Sequence, residues 1–127
     1  MDMSSEASRT VSNRAVDRSI LGEWLAGDDT AINELLAVFR DSALTEHQQM
    51  ARALSGDDLI EFAKAAHRLR GVALSMGAHA LGKLAGGLEA AGKAGDAIVC
   101  RDGMAGLETQ MHLMVAEVPL HPRPRER

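Results

Sequence analysis

Between about residues 17 and 118, apolar side chains return at every third or fourth position, and nowhere in that span do β-branched or aromatic residues alternate with polar ones. Such spacing draws one apolar stripe along a helix and none along a strand. Ala, Leu, Met, Glu and Arg, which give up little on entering a helix, dominate the span, and aromatic residues make up only 2% of the chain. The chain is therefore expected to be all-α. Its 127 residues amount to about one domain, and 46% apolar content is enough for one core, which argues against a multidomain enzyme.

Five helical segments can be placed. The first, about 17–26, sets Ile20, Leu21, Trp24 and Leu25 on one side as a lid for the core and ends at Gly27. The second, about 30–55, repeats Ile32, Leu35, Leu36, Phe39, Ala43, Met50 and Leu54, with Gly56 as its stop. The third opens on Asp58 as N-cap, with Glu61 three residues on in a capping-box pattern, and runs to Met76 before Gly77. The fourth, about 78–94, offers Leu81, Leu84, Leu88 and Ala91. The fifth, about 97–118, offers Cys100, Met104, Leu107, Met111, Met114 and Val118, and Pro119 ends it. Short joints favour antiparallel neighbours, so the expected architecture is an antiparallel up-down four-helix bundle with a short additional N-terminal helix across one end. The bundle is expected to occupy 17–118 between loose tails, a polar one at 1–16 and a basic one at 119–127. The methionines of the fifth helix are expected in the core. Gly82, Gly86, Gly87, Gly103 and Gly106 fit either close helix packing or plain weakening of the last two helices.

Several function classes drop out on charge and cysteine usage. The net charge is -4, and the Lys and Arg residues form no continuous stripe of the kind that neutralises nucleic-acid phosphates. Cys100 stands alone, which excludes a disulfide framework or a set of thiolates at metal-binding spacing and suits the reducing cytoplasm. No stretch approaches the roughly 18 uninterrupted apolar residues of a membrane span, and the first residues are too polar for a signal peptide. A monomer is the default expectation.

The third helix rewards a calculation. At about 100° per residue, and with His67 set at zero, Phe62, Ala65, Leu69, Val72, Ala73 and Met76 fall within roughly 60° of the opposite pole. That arc must face the core, so His67 should point to solvent. Within about 60° of His67 lie Ile60, Ala63, Lys64, Arg70, Gly71 and Leu74, two cations among small or apolar groups. This reads as a docking surface centred on an imidazole.

An exposed histidine on a helix is ordinarily just a solvated side chain, and this one has no His, Asp, Glu or Cys three or four residues away to share a metal. Its neighbours point elsewhere. A neutral imidazole nitrogen is nucleophilic near pH 7, where Ser or Lys would need strong activation. Phosphoryl transfer rests on positioning and on neutralising oxygens, and Lys64 and Arg70 sit one turn to either side with positive charge. Gly71 costs about 1 kcal/mol relative to Ala inside a helix, which suggests close approach of a partner to the backbone there. His79, beyond Gly77, reads as a surface residue.

The run Ala66-His67-Arg68-Leu69-Arg70-Gly71-Val72-Ala73-Leu74-Ser75-Met76-Gly77-Ala78 resembles the signature of bacterial histidine-containing phosphotransfer (HPt) domains. That pattern is His, any residue, Leu, a basic residue, Gly, two small residues, and later Gly-Ala before a Leu-spaced helix with a Leu-Glu pair. Leu81, Leu84 and Leu88-Glu89 continue it, and the likeness covers about 17–118. Two positions depart from it: Arg70 stands where Lys is common, and Val72 where a small hydroxyl residue is frequent. Arg keeps the charge but replaces a mobile ammonium with a planar fork.

The resemblance implies a five-helix fold around a four-helix bundle, a phosphoacceptor at His67, and no ATP binding, in keeping with the lack of a P-loop. It implies response-regulator receiver domains as partners, with a hybrid histidine kinase as a further candidate. The receiver would dock over Ile60, Ala63, Gly71 and Leu74 and supply Mg2+, leaving this chain a carrier with no cofactor of its own. The competing expectations are a non-phosphorylated adaptor that uses the same face, and a purely structural bundle.

Overall fold

The computed structural model describes residues 14–118, which contain five helices: α1 Ser19–Trp24, α2 Asp29–Ser55, α3 Leu59–Met76, α4 His79–Lys93 and α5 Ala97–Glu117. Helix α2 packs on α3, α3 on α4, α4 on α5 and α5 back on α2, so the four long helices share one core, while α1 lies against α2 and α3. The described residues include no strand. None of the helices is long and apolar enough to cross a membrane.

The chain passes into each long helix by the same two-residue device. One residue takes a positive φ and the next caps the helix that follows: Gly27 (φ 73) and Asp28, Asp57 (φ 56) and Asp58, Gly77 (φ 84) and Ala78, Gly95 (φ 75) and Asp96. The three Asp carboxylates accept from the amides of Ala31, Glu61 and Val99 at 3.1, 3.0 and 3.1 Å, which satisfies donors that have no partner inside the helix. Gly56 closes α2 as expected, but with an ordinary negative φ; Asp57 carries the left-handed turn, a conformation Asp tolerates better than most residues. Asp58 caps α3 as its spacing predicts. The Glu61 carboxylate does not complete the box, because it accepts instead from Arg68 Nη2 at 3.2 Å.

The core follows the periodic positions. Leu36, Met50, Phe62, Leu69, Leu81 and Leu107 are fully buried, and Met111 and Met114 join them from α5. Two expectations fail at the N-terminal side. Val16, assigned to the tail, is 3% exposed and packs in the core. The Ala15 and Val16 amides donate to the Glu117 carboxylate at 2.8 and 3.0 Å, and the Asp17 amide to Gly77 O at 2.8 Å. A lone apolar residue in a polar stretch shows no period, so pattern reading passes over it. Trp24, assigned to the lid, is 77% exposed, because α1 ends there and the chain reverses through Ala26 and Gly27, leaving Leu21 as the buried side chain of this helix. The remainder of the two tails, 1–13 and 119–127, lies outside the described residues.

Gly77 joins α3 to α4 under two constraints at once. Its φ is 84, and a Cβ would fall on the Asp17 carbonyl oxygen. A Gly77→Ala substitution is expected to lower the unfolding free energy by at least about 2 kcal/mol, the left-handed penalty plus displacement of the backbone at Asp17, read from the urea midpoint at unchanged m-value. An unchanged midpoint would show that this junction yields freely.

Candidate functional site

Helices α3 and α4 run antiparallel around the joint at Ala78, and their contacts descend one helix as they climb the other. Leu74 packs where Gly82 leaves room, the Arg70 side chain lies over Gly86, His67 meets Glu89, and Ala63 lies against Gly92. A Cβ at Gly82 would stand 2.8 Å from Leu74 Cδ2, and one at Gly92 3.1 Å from Ala63 Cβ. Gly82 and Gly86 therefore serve close packing, against α3, whereas a Cβ at Gly87 or Gly106 would meet nothing within 4 Å.

This close seam brings a carboxylate under the imidazole. Glu89 is the single buried charged side chain among the described residues. Its Oε2 accepts from His67 Nδ1 at 3.0 Å and from Lys93 Nζ at 3.1 Å, and its Oε1 lies 3.7 Å from Arg70 Nη1. Burial pushes the Glu89 carboxyl up, but the hydrogen bonds from Lys93 and His67, with the positive charge they bring, outweigh it and hold the group below its ordinary value. An ionised carboxylate can only accept, so His67 carries its hydrogen on Nδ1, and in the neutral ring the lone pair is on Nε2. The side chain remains 60% exposed. The arrangement is an imidazole locked in one tautomer and presented to solvent.

Around it runs a groove of about 560 Å3 lined by Ile60, Ala63, Lys64, His67, Arg68, Glu89, Gly92 and Lys93. Of the positions picked from the sequence, His67, Lys64 and Ile60 thus share one depression, with Ile60 and Lys64 exposed on its wall. Arg70 is half-buried over Gly86 and faces Glu89 rather than solvent alone. Leu74 is 47% exposed further along α3. Gly71 is exposed, and a Cβ there would meet nothing within 4 Å, so no contact inside the molecule explains it. Ala63 departs from expectation: it is buried, because α4 passes so close at Gly92 that the residue forms the floor of the groove instead of an open docking surface.

Sequence reasoning missed Glu89, Lys93 and Arg68. Glu89 stood in view as part of a Leu-Glu pair, with no role attached. Arg68, next to His67, is drawn towards α2 by Glu46 at 2.9 Å and is also held by Glu61; these hydrogen bonds, set against partial desolvation, raise its guanidinium above the ordinary value. His79 is a surface residue as expected, 3.6 Å from Asp17.

The family model described as Hpt domain matches residues 34–118, about two thirds of the chain. No curated protein and no solved structure matches the chain.

The electrostatics predict a titration. The folded-state pKa of Glu89 lies below its unfolded value, so its contribution to stability is fully present above the ordinary carboxylate range and is lost as pH falls through the lower folded value. A 13C titration of the Glu89 carboxyl should give a midpoint below those of the exposed glutamates. A midpoint above them would mean that burial outweighs the cations.

Proposed function

Given that the chain belongs to the Hpt domain family, whose members act in two-component phosphorelays, we propose that it carries a phosphoryl group on His67 Nε2, taken from the phosphoaspartate of a response-regulator receiver domain and passed to another regulator. The observation that carries this reading is the His67–Glu89 hydrogen bond, 3.0 Å long, beneath an exposed ring. It ties up Nδ1 and leaves Nε2 as the nucleophile, so the same nitrogen can both accept and release the group.

In the forward step the Nε2 lone pair forms the P–N bond as the P–O bond to the aspartyl carboxylate breaks, and that bonding pair leaves on the carboxylate oxygen. Nδ1 keeps its proton throughout, and Glu89 stabilises the positive charge that develops on the ring. Arg70 and Lys93, both within reach of Glu89, and Lys64 on the groove wall offer charge for the phosphoryl oxygens. The receiver supplies Mg2+ and the remaining catalytic groups, and this chain acts as a carrier with no kinase activity of its own. It docks through Ile60 and Leu74, with Gly71 admitting the receiver close to the α3 backbone. The supporting architecture is an up-down bundle, consistent with the short joints and with the antiparallel α3–α4 seam, and the exchange takes place in the cytoplasm.

The direct test is incubation with a panel of phosphorylated receiver domains, followed by intact mass after acid and base treatment. An acid-labile, base-stable phosphoryl group is expected on the wild type and none on His67→Gln. Arg70→Ala and Lys93→Met are each expected to slow transfer about tenfold, the effect of about 1.4 kcal/mol at the transition state. Gly71→Ala should stabilise the fold by roughly 0.5–1 kcal/mol and still impair transfer. Receiver binding without transfer to the wild type would make the chain an adaptor that uses the same face.

A further inference from the structure

The side of α4 turned away from His67 forms one wall of a second groove, and α5 forms the other. Taking Glu89 as zero at about 100° per residue, Ala80, Lys83, Leu84 and Gly87 lie within roughly 60° of the opposite pole of α4. These residues line a groove of about 760 Å3 together with Leu88, Val99, Asp102, Gly103 and Gln110. Gly103 sets its depth, since a Cβ there would stand 2.5 Å from Leu88 Cδ2.

The outer face of α5 continues this surface and is unusual for a solvent-facing helix. Within about 60° of Asp102 fall Ile98, Val99, Ala105, Thr109, Leu113 and Ala116, all of them exposed. The other charged residue on that arc, Glu117, already accepts from the Ala15 and Val16 amides. Apolar residues of α5 thus lie on two opposite sides, the core side and this outer arc, with Arg101, Glu108 and His112 on the flank between them. At 21 residues it is about 30 Å long.

We propose that a second copy of this chain covers the α4–α5 face, giving a two-fold dimer. Charge complementarity selects that occupant. The groove carries one cation, Lys83, on the α4 wall and one anion, Asp102, on the α5 wall, and neither takes part in an ion pair among the described residues. Leu88 sits over Gly103, so Lys83, five residues before Leu88, and Asp102, one before Gly103, are offset along the groove by several ångströms on opposite walls. A two-fold axis between them sets each Lys83 against Asp102 of the second copy, forming two ion pairs around an apolar centre. The face of α4 that holds Glu89 points the other way, so both His67 rings remain accessible in the dimer.

Sedimentation velocity on the full chain, from about 1 μM to about 1 mM, tests this. The wild type is expected to pass from monomer to dimer across that range. K83D and D102K should each raise the dimer Kd at least about tenfold, because each sets like charges together twice, and the double variant K83D/D102K should return it to near the wild-type value. Circular dichroism should be the same for all four proteins. A wild type that stays monomeric throughout overturns the proposal, as does a dimer whose Kd ignores the single substitutions or is not restored in the double variant.

Discussion

A carboxylate taken out of water at a helix–helix seam constrains everything around it. Uncompensated, such a charge would cost several kcal/mol, and it stays ionised only where cations reach it. Here Lys93 and Arg70 supply those cations, and His67 adds its Nδ1–H donor. They reach Glu89 because α3 and α4 approach closely at Ala63 and Gly92 and at Leu74 and Gly82, where glycine replaces bulk. Packing and reactivity are therefore one interaction. Pushing the helices apart would cost the Glu89–His67 hydrogen bond before it exposed the core, and removing the carboxylate would release the imidazole to either tautomer. The exposed ring is held still by a buried partner, and it needs no covering loop.

That division between exposed and buried also explains what could be read from the sequence. Direction around one helix axis follows from a count of residues, so the outward face of His67 and the inward face of Phe62, Leu69 and Met76 were legible, as were Asp58 and Gly77 at the ends of α3. A contact between helices depends on register, which no single-helix count contains. Glu89 was missed for that reason, although arithmetic could have found it. With Gly77 and Ala78 taken as the turning point, residues equally far before and after Ala78 must meet, and His67 pairs with Glu89, Arg70 with Gly86 and Leu74 with Gly82. Ala63 was misjudged by the same omission, because the wheel turned it towards the open side without knowing that Gly92 lies across it.

Val16 and Trp24 mark a different limit. Each is a large apolar residue in or beside a segment too short to show a period, and the structure disposes of them in opposite ways, Val16 into the core and Trp24 to solvent. What separates them is backbone pairing. The Ala15, Val16 and Asp17 amides are held by Glu117 and Gly77, on the far end of α5 and the α3–α4 joint, whereas Trp24 sits where α1 ends and the chain reverses. Glu117 is thus a long-range anchor written as an ordinary charged residue in the last turn of a helix.

The charge balance at the seam has a further consequence for a group-carrying histidine. At rest, Glu89 engages Lys93 and Arg70 while holding the ring. A phosphoryl group on Nε2 would bring about two negative charges to the rim of a site whose buried member is already an anion, and the repulsion would favour loss of the group unless the cations answered it. Lys93, exposed and on a flexible stem, can turn towards the phosphoryl oxygens at little cost, while Arg70, half-buried over Gly86, is better placed to stay with Glu89. On this view the two cations are not interchangeable. On the proposed reading Arg70 stays beside the carboxylate while Lys93 turns to the cargo, so the added negative charge is answered without both cations leaving Glu89.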